Sequence, residues 1–354
     1  MRILITVSNI PIQYNAFTIP GGAEKVAWDL AKSLSKKNEV FILTFGEKDS
    51  FEMIENIGVY FIKTVNHGLW YYMTLGRIDI LRIYNKIKPD VIHSHMHSII
   101  TFILRFKRVN KILTLHNSKY EHYNRTKIQK LKHNLIAKKS FKKYKITTVS
   151  KYMQKYLTNY LKKEVTHIPN GINHKEFYIK KEVTTDKKII LYVGRLEEFK
   201  GVRQILEASK ILKEYKFQFI GLGTYFNFYQ TKNVHFLGRK KPHELIDFYN
   251  KSFISVFPSK YENYPLVGLE AMACGSLVLA NNINGFREYI INEENGFLAD
   301  LNSSKNIIKK IKEISKTNNL QKIRQNAFNK VNELNIDSIT EKYLYLYSQK
   351  IISK

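Results

Sequence analysis

Pro258-Ser259-Lys260-Tyr261-Glu262-Asn263-Tyr264-Pro265-Leu266-Val267-Gly268-Leu269-Glu270-Ala271-Met272-Ala273-Cys274-Gly275 follows the apolar run Ile254–Phe257. A short buried strand ends in Pro-Ser, a loop carries Glu262, and a helix starts near Pro265. The first backbone N–H groups of that helix, from Leu266 and Val267, are offered to an anion. Glu270 lies about one turn further on, where a carboxylate accepts hydrogen bonds from a ribose diol. Glu262 sits on the loop, able to bind hydroxyls of a second group. Either glutamate alone reads as a solvated carboxylate; the pair in this setting reads as a ligand site.

Upstream, Tyr192-Val193-Gly194-Arg195-Leu196-Glu197-Glu198-Phe199-Lys200-Gly201 repeats the pattern of a strand ending in a loop before a helix. Arg195 and Lys200 can converge on one diphosphate, the first with a planar fork and the second as a point charge. Between these segments strands and helices alternate: strands at Ile189–Val193, Phe217–Ile220, Val234–Leu237, Ile254–Phe257 and Leu277–Ala280, helices at Val202–Leu212, His243–Lys251 and Val267–Ala273. From Ser303 onward the chain reads as helical. The first half alternates likewise, with strands at Arg2–Val7, Val40–Phe45, Val59–Lys63, Val91–His93, Lys111–Leu115 and Ile146–Val149. Helices fall at Ala23–Leu34 and Ile78–Ile87.

This is an α/β pattern of two Rossmann-like doubly wound domains facing across a cleft at the carboxyl ends of their strands. The expected division is residues 1–174, a polar linker at 175–188, a second domain at 189–335, and a C-terminal helix at 336–354 that packs back toward the first domain.

Smaller signals lie in the first half. Gly21-Gly22 precedes a helix and lets backbone approach a phosphate, although a Gly pair is more often a turn. Pro169-Asn170-Gly171 is a turn signal, read equally well as a structural corner or a ligand contact. His93, His95 and His97 alternate along one strand end and mimic a metal site, but no carboxylate or cysteine follows nearby. No Asp-x-Asp triplet occurs in the chain.

Taken together, Gly21-Gly22-Ala23-Glu24, Pro89-Asp90-Val91-Ile92-His93, Thr114-Leu115-His116-Asn117, Thr148-Val149-Ser150-Lys151, Pro169-Asn170-Gly171-Ile172, the Gly194–Gly201 segment and Glu262–Gly275 resemble glycosyltransferase family 4. This is a group of retaining, nucleotide-sugar-dependent enzymes of the GT-B fold. Glu262 and Glu270 match the family's pair of glutamates separated by seven residues. The resemblance implies that Glu270 binds the nucleotide ribose and Glu262 the donor sugar's hydroxyls. Arg195 and Lys200 hold the diphosphate with Gly21, Gly22 and the backbone of Leu266 and Val267, and Asn170-Gly171 belongs to the binding set. His116 is placed beside the donor sugar.

No metal or other cofactor is implied, because fixed cations and helix N-termini serve the departing diphosphate. The implied reaction is a front-face transfer of a hexose to an acceptor hydroxyl with retained configuration, in cell-surface glycan biosynthesis. Domain closure across 175–188 would exclude water. Two departures stand out: Asn173 where the family usually shows Asp, and Asn263-Tyr264-Pro265 in place of a commoner Gly-Phe-Gly, at the donor-sugar pocket.

Composition bounds these readings. The chain has 354 residues and a formal net charge of +28. Its 44% hydrophobic and 25% charged residues are those of a folded protein, not a disordered one. Cys274 is the single cysteine, so no intrachain disulfide forms and a reducing compartment is expected. No apolar run approaches the ~20 residues needed to span a bilayer, and the N-terminus reads as a strand without a signal-peptide pattern.

Between Arg105 and Glu164 there are eighteen Lys or Arg against two acids, Glu121 and Glu164. Within it, Arg125–Tyr144 reads as a basic amphipathic helix. The expected partners are a nucleotide diphosphate sugar, a glycan or lipid-linked acceptor and an anionic membrane surface, with the protein cytoplasmic and peripheral at the inner face of the membrane. The competing readings are a transferase for soluble or protein acceptors, a sugar phosphorylase on the same fold, a non-catalytic nucleotide-sugar binder and a basic nucleic-acid-binding protein. The last has the charge but no recognised binding motif.

Overall fold

Strand β1 (Arg2–Asn9) buries Ile3, Ile5 and Val7 in one apolar cluster and Leu4 in another, so both of its faces are covered. A continuous apolar run of this kind is what a parallel sheet with helices on both sides requires. The structure, a computed structural model, describes residues 1–9, 21–63, 75–96, 98–116, 139–226 and 231–349. The segment expected as a basic helix lies outside these residues over 125–138, and so do His97 and Asn117.

The chain divides into two units, 1–171 with 336–354 and 172–335. In the first, β1 is followed by α1 (Gly22–Leu34), β2 (Glu39–Gly46), β3 (Ser50–Ile54), β4 (Ile57–Lys63), α2 (Leu75–Ile87), β5 (Val91–His95), α3 (Ile99–Leu104), β6 (Asn110–Leu115), β7 (Lys145–Thr148), α4 (Lys151–Leu161) and β8 (Val165–His167). The sheet order is β3-β4-β2-β1-β5-β6-β7-β8. Among the described residues only the β3–β4 pair is antiparallel. The order reverses between β1 and β5, the point at which open α/β sheets leave a crevice at the strands' carboxyl ends.

The second unit runs β9 (Asp186–Val193), α5 (Val202–Ser209), β10 (Lys216–Ile220), β11 (Val234–Phe236), α6 (Pro242–Lys251), β12 (Ser252–Phe257), α7 (Leu266–Ala273), β13 (Leu277–Asn281), α8 (Asn284–Arg287), β14 (Phe297–Ala299), α9 (Ser304–Ser315) and α10 (Leu320–Glu333). Its sheet, β11-β10-β9-β12-β13-β14, is wholly parallel. The order reverses between β9 and β12, so the Arg195 and Glu262 loops leave adjacent strands at one switch point.

The final helix α11 (Ile336–Ser348) belongs to the first unit, where Ile339, Tyr343, Leu346 and Tyr347 join the cluster under β1. Asp337 accepts a 2.6 Å hydrogen bond from Ser33 and pairs with Lys36. At its other end Asn110 donates to the Tyr347 carbonyl at 2.7 Å, giving the last turn the partner that helix carbonyls otherwise lack.

The stretch read as a linker, 175–188, is packed onto the second unit. Phe177 is buried against Tyr249, Lys180 pairs with Asp247, and the Lys180 N–H donates to Asn250 Oδ1 at 2.8 Å. Its polar composition misled because only Phe177 carries the packing. The chain crosses between units at 171/172 and 335/336 instead.

Backbone contact between the strand ends is close. Gly221 has φ +142°, and a Cβ there would lie 1.9 Å from the Gly194 carbonyl oxygen. Gly221→Ala is expected to cost about 3 kcal/mol and lower the Tm by about 5–10 °C. An unchanged Tm in a thermal melt would show that this approach relaxes without cost.

Candidate active site

β9 ends at Val193, and the chain turns through Gly194 and Arg195 into a short 3-10 turn, Glu198–Lys200. Tyr192 fixes the corner by donating from its hydroxyl to the Arg195 carbonyl at 2.7 Å. Burial, and then the nearby Glu262 charge, push that phenol well above its usual range, so it stays a neutral donor. The Phe199 ring lies under both cations, 4.9 Å from the exposed Arg195 guanidinium and 5.5 Å from the Lys200 ammonium. Gly201 closes the turn at φ +72°, with the Pro258 carbonyl where a Cβ would sit.

The loop after β12 is tied to this turn: the Lys260 N–H donates to the Phe199 carbonyl at 2.9 Å. Lys200 Nζ then forms an ion pair with Glu262 Oε1, and both side chains are less than one-fifth exposed. Glu262 is held from behind, since a Cβ at Gly285 would meet its backbone oxygen. Tyr289 donates to the Pro265 carbonyl at 2.8 Å and sets the entry of α7. That helix begins without a side-chain cap, with Leu266 and Val267 half-buried in its first turn. Its positive end is therefore available to a ligand's charge. Glu270 is buried at 8% exposure, and its Oε2 accepts a 3.0 Å hydrogen bond from Tyr249 on α6. Burial, reinforced by Glu270, also raises the Cys274 thiol far above its ordinary value, so it behaves as core rather than nucleophile.

The second unit thus gathers Arg195, Lys200, Glu262, Leu266, Val267 and Glu270 around one switch point. The remaining expected residues lie in the first unit. Gly21 precedes α1, and a Cβ there would stand 2.6 Å from Glu24 Oε2, whereas Gly22 faces open space. Gly171 is required by packing, because a Cβ would meet the Ile336 backbone at 2.8 Å. Asn170 beside it is buried.

His116 directly follows β6 and joins a histidine cluster. His93 Nδ1 pairs with the Tyr347 hydroxyl at 2.6 Å and its Nε2 with Thr114 Oγ1 at 2.7 Å. His95 Nδ1 lies 2.9 Å from His116 Nε2. The metal-like alternation of His93 and His95 is therefore a hydrogen-bonded network. Burial pulls His93 down to about 3 and His116 to about 4, and drives His95 well below 6.5. Repulsion between neighbouring imidazoles adds to the first and last of these effects at His93 and His95. Sequence reasoning missed His95 as a partner of His116 and Tyr249 as a partner of Glu270. The two-residue alternation flagged the first; nothing local flagged the second.

Residues 174–330 match the family described as Glycosyl transferases group 1, and residues 20–176 match Glycosyltransferase Family 4. An uncharacterized glycosyltransferase of Methanocaldococcus jannaschii is 31% identical over 324 residues, 85% of this chain and 87% of that protein. The N,N'-diacetylbacillosaminyl-diphospho-undecaprenol alpha-1,3-N-acetylgalactosaminyltransferase of Campylobacter jejuni is 28% identical over 51% of this chain and 53% of its own. Among solved structures, sucrose-phosphate synthase from Thermosynechococcus elongatus superposes with a TM-score of 0.82 at 19% identity, covering 98% of both chains. HepE of Anabaena, in complex with UDP and glucose, gives 0.78 at 17%, covering 99% of this chain and 100% of that one. Two parallel-sheet Rossmann-like units of this kind define the GT-B fold of glycosyl-transferring enzymes. The chain belongs to glycosyltransferase family 4.

Proposed function

We propose that this enzyme moves a hexose from a nucleoside diphosphate sugar to an acceptor hydroxyl with retention of anomeric configuration, in the assembly of a cell-surface glycan. The observation that carries the reading is the convergence of Arg195, the Lys200–Glu262 pair and the uncapped start of α7 at the β9/β12 switch point. Arg195, Lys200 and the Leu266 and Val267 N–H groups hold the diphosphate. Glu270, kept in place by Tyr249, takes the ribose hydroxyls. Glu262 takes hydroxyls of the sugar while its charge orients Lys200. In the first unit, Gly21 and Gly22 give backbone access to the phosphate, Asn170 and Gly171 complete the binding set, and His116 contacts the sugar.

In the reaction the bond from the anomeric carbon to the diphosphate oxygen breaks, and its electron pair leaves with the diphosphate. The acceptor oxygen bonds to the same face of that carbon, and its proton passes to the leaving diphosphate. Fixed cations act most strongly as this charge develops, so the donor set asks for no metal. The names of two relatives support a surface-glycan acceptor: the Campylobacter jejuni transferase acts on an undecaprenol diphosphate carrier, and a capsular polysaccharide transferase of Staphylococcus aureus also matches. The excess of basic residues over 105–164 supports an acceptor carried at an anionic membrane surface, with the enzyme peripheral on the cytoplasmic side. Among the described residues no helix is long and apolar enough to cross a membrane.

A panel of uridine, guanosine and adenosine diphosphate sugars tests the reading by thermal stabilisation and donor hydrolysis. At a hundredfold excess over Kd, one donor is expected to stabilise the fold by about 2.7 kcal/mol. Silence across the panel would count against nucleotide-sugar transfer.

A further inference from the structure

We infer that His95 is a positioning residue for His116: its Nδ1–H donates to His116 Nε2 and so fixes the His116 proton on Nδ1. The inference rests on the reading that His116 contacts the sugar, and it adds which His116 nitrogen carries the proton.

His95 is fully buried, and its Nε2 has no hydrogen-bond partner among the described residues. Its Nδ1 sits 2.9 Å from His116 Nε2, with the two rings 5.1 Å apart and inclined by 18°. The His93 ring lies 4.3 Å from that of His95, and both His93 nitrogens are already engaged, by Tyr347 and Thr114. His93 therefore has nothing to offer the orphan atom.

A neutral imidazole carries one N–H and one lone pair, so two arrangements are open. If His95 held its proton on Nε2, a buried N–H would be left without an acceptor, the rarer and costlier defect in folded proteins. If it holds the proton on Nδ1, only a lone pair is orphaned and the N–H is spent on His116. The second arrangement wins. His116 Nε2 must then accept, and a neutral His116 carries its own proton on Nδ1. Burial keeps both rings neutral near pH 7 and so makes the choice of tautomer meaningful. His116 thus carries its donor on Nδ1 and its lone pair on Nε2.

The register supports the pairing. His95 on β5 faces Thr114 on β6, which puts His116 two residues further on along the neighbouring strand. The backbone N–H of His116 also points at Met96 Sδ, at 3.4 Å.

Two variants and one spectrum test this. His95→Asn keeps an amide N–H near the position of Nδ1, while His95→Phe keeps a flat ring without a donor. His95→Phe is expected to lose about 10- to 100-fold in kcat with donor KM changed less than about threefold, and His95→Asn to recover most of that loss. Nitrogen-15 NMR of histidine-labelled wild-type enzyme, with His116 assigned by its absence in His116→Ala, should show a protonated Nδ1 and a bare Nε2. A proton on His116 Nε2 overturns the inference, even if His95→Phe fails to fold. Equal losses in the Asn and Phe variants also overturn it. Full transfer by His116→Ala would sink the reading of His116 on which the positioning rests, independently of the spectrum.

Discussion

Lys200→Ala is expected to lower turnover by about 100- to 1000-fold while donor KM moves far less, because its charge matters most when the diphosphate departs. Lys200 is well placed for this. It is held by the Glu198–Lys200 turn, closed behind by Gly201 and paired with Glu262, with only 18% of its side chain exposed. A cation already oriented before the reaction needs no reorganisation as negative charge grows. Removing it also leaves Glu262 without its partner in a site where that carboxylate is 16% exposed, so part of the loss would come from a displaced glutamate. Lys200→Arg separates the two effects: it keeps the charge and a partner for Glu262, and should retain more activity than Lys200→Ala. Steady-state kinetics with a fixed acceptor checks this. If Lys200→Ala raised only KM, the residue would supply uniform binding and no transition-state stabilisation.

The parallel core was legible because β1 and its neighbours are apolar on both faces, a pattern few other folds produce. The hairpin of β3 was not. Ser50–Ile54 has only five residues, and its alternating Phe51 and Met53 face solvent, not a core. Its turn uses Glu55 and Asn56 at φ +47° and +65°, where Asn-Gly would have announced it. Helix α4 escaped for a similar reason: of its eleven residues only Met153 and Leu157 are buried. Strands β8 and β14 have three residues each, too short for any periodicity.

The site divides along the same line. Glu262 and Glu270 were readable because one strand–loop–helix segment carries both. The pairing of Lys200 with Glu262 was not, because it spans 62 residues and depends on β9 and β12 being neighbours. Tyr249 and Glu270 meet only once α6 and α7 pack on the same sheet. The histidines show the limit most clearly. His93 and His95 alternate as metal ligands do, yet the group that engages His93 Nδ1 is Tyr347, 254 residues away on the last helix. No local pattern encodes a partner at that distance.

Acidification is expected to destabilise the first unit well before the carboxylates titrate. The fold holds His93, His95 and His116 neutral, with His93 near 3 and His116 near 4, against 6.5 when unfolded. Below pH 6.5 the unfolded chain therefore binds protons that the folded chain refuses, so stability is full above that pH and declines toward pH 4. His93 and His116 each contribute about 2 kcal/mol of loss by pH 5, at about 1.36 kcal/mol per pH unit, and His95 acts in the same direction. Burial by α11 is the physical cause: the Tyr343 ring lies 4.8 Å from His93, and the Tyr347 hydroxyl occupies its Nδ1. The wild-type Tm should therefore drop steeply between pH 7 and 5. Since the chain carries a net charge of +28, general acid repulsion acts too, and a variant must separate the two. His93→Gln removes one refused proton and should start from a lower Tm at pH 7 but decline more gently on acidification. A wild-type Tm that stays flat to pH 5, or a variant with an unchanged slope, would show that these histidines accept protons without opening the fold.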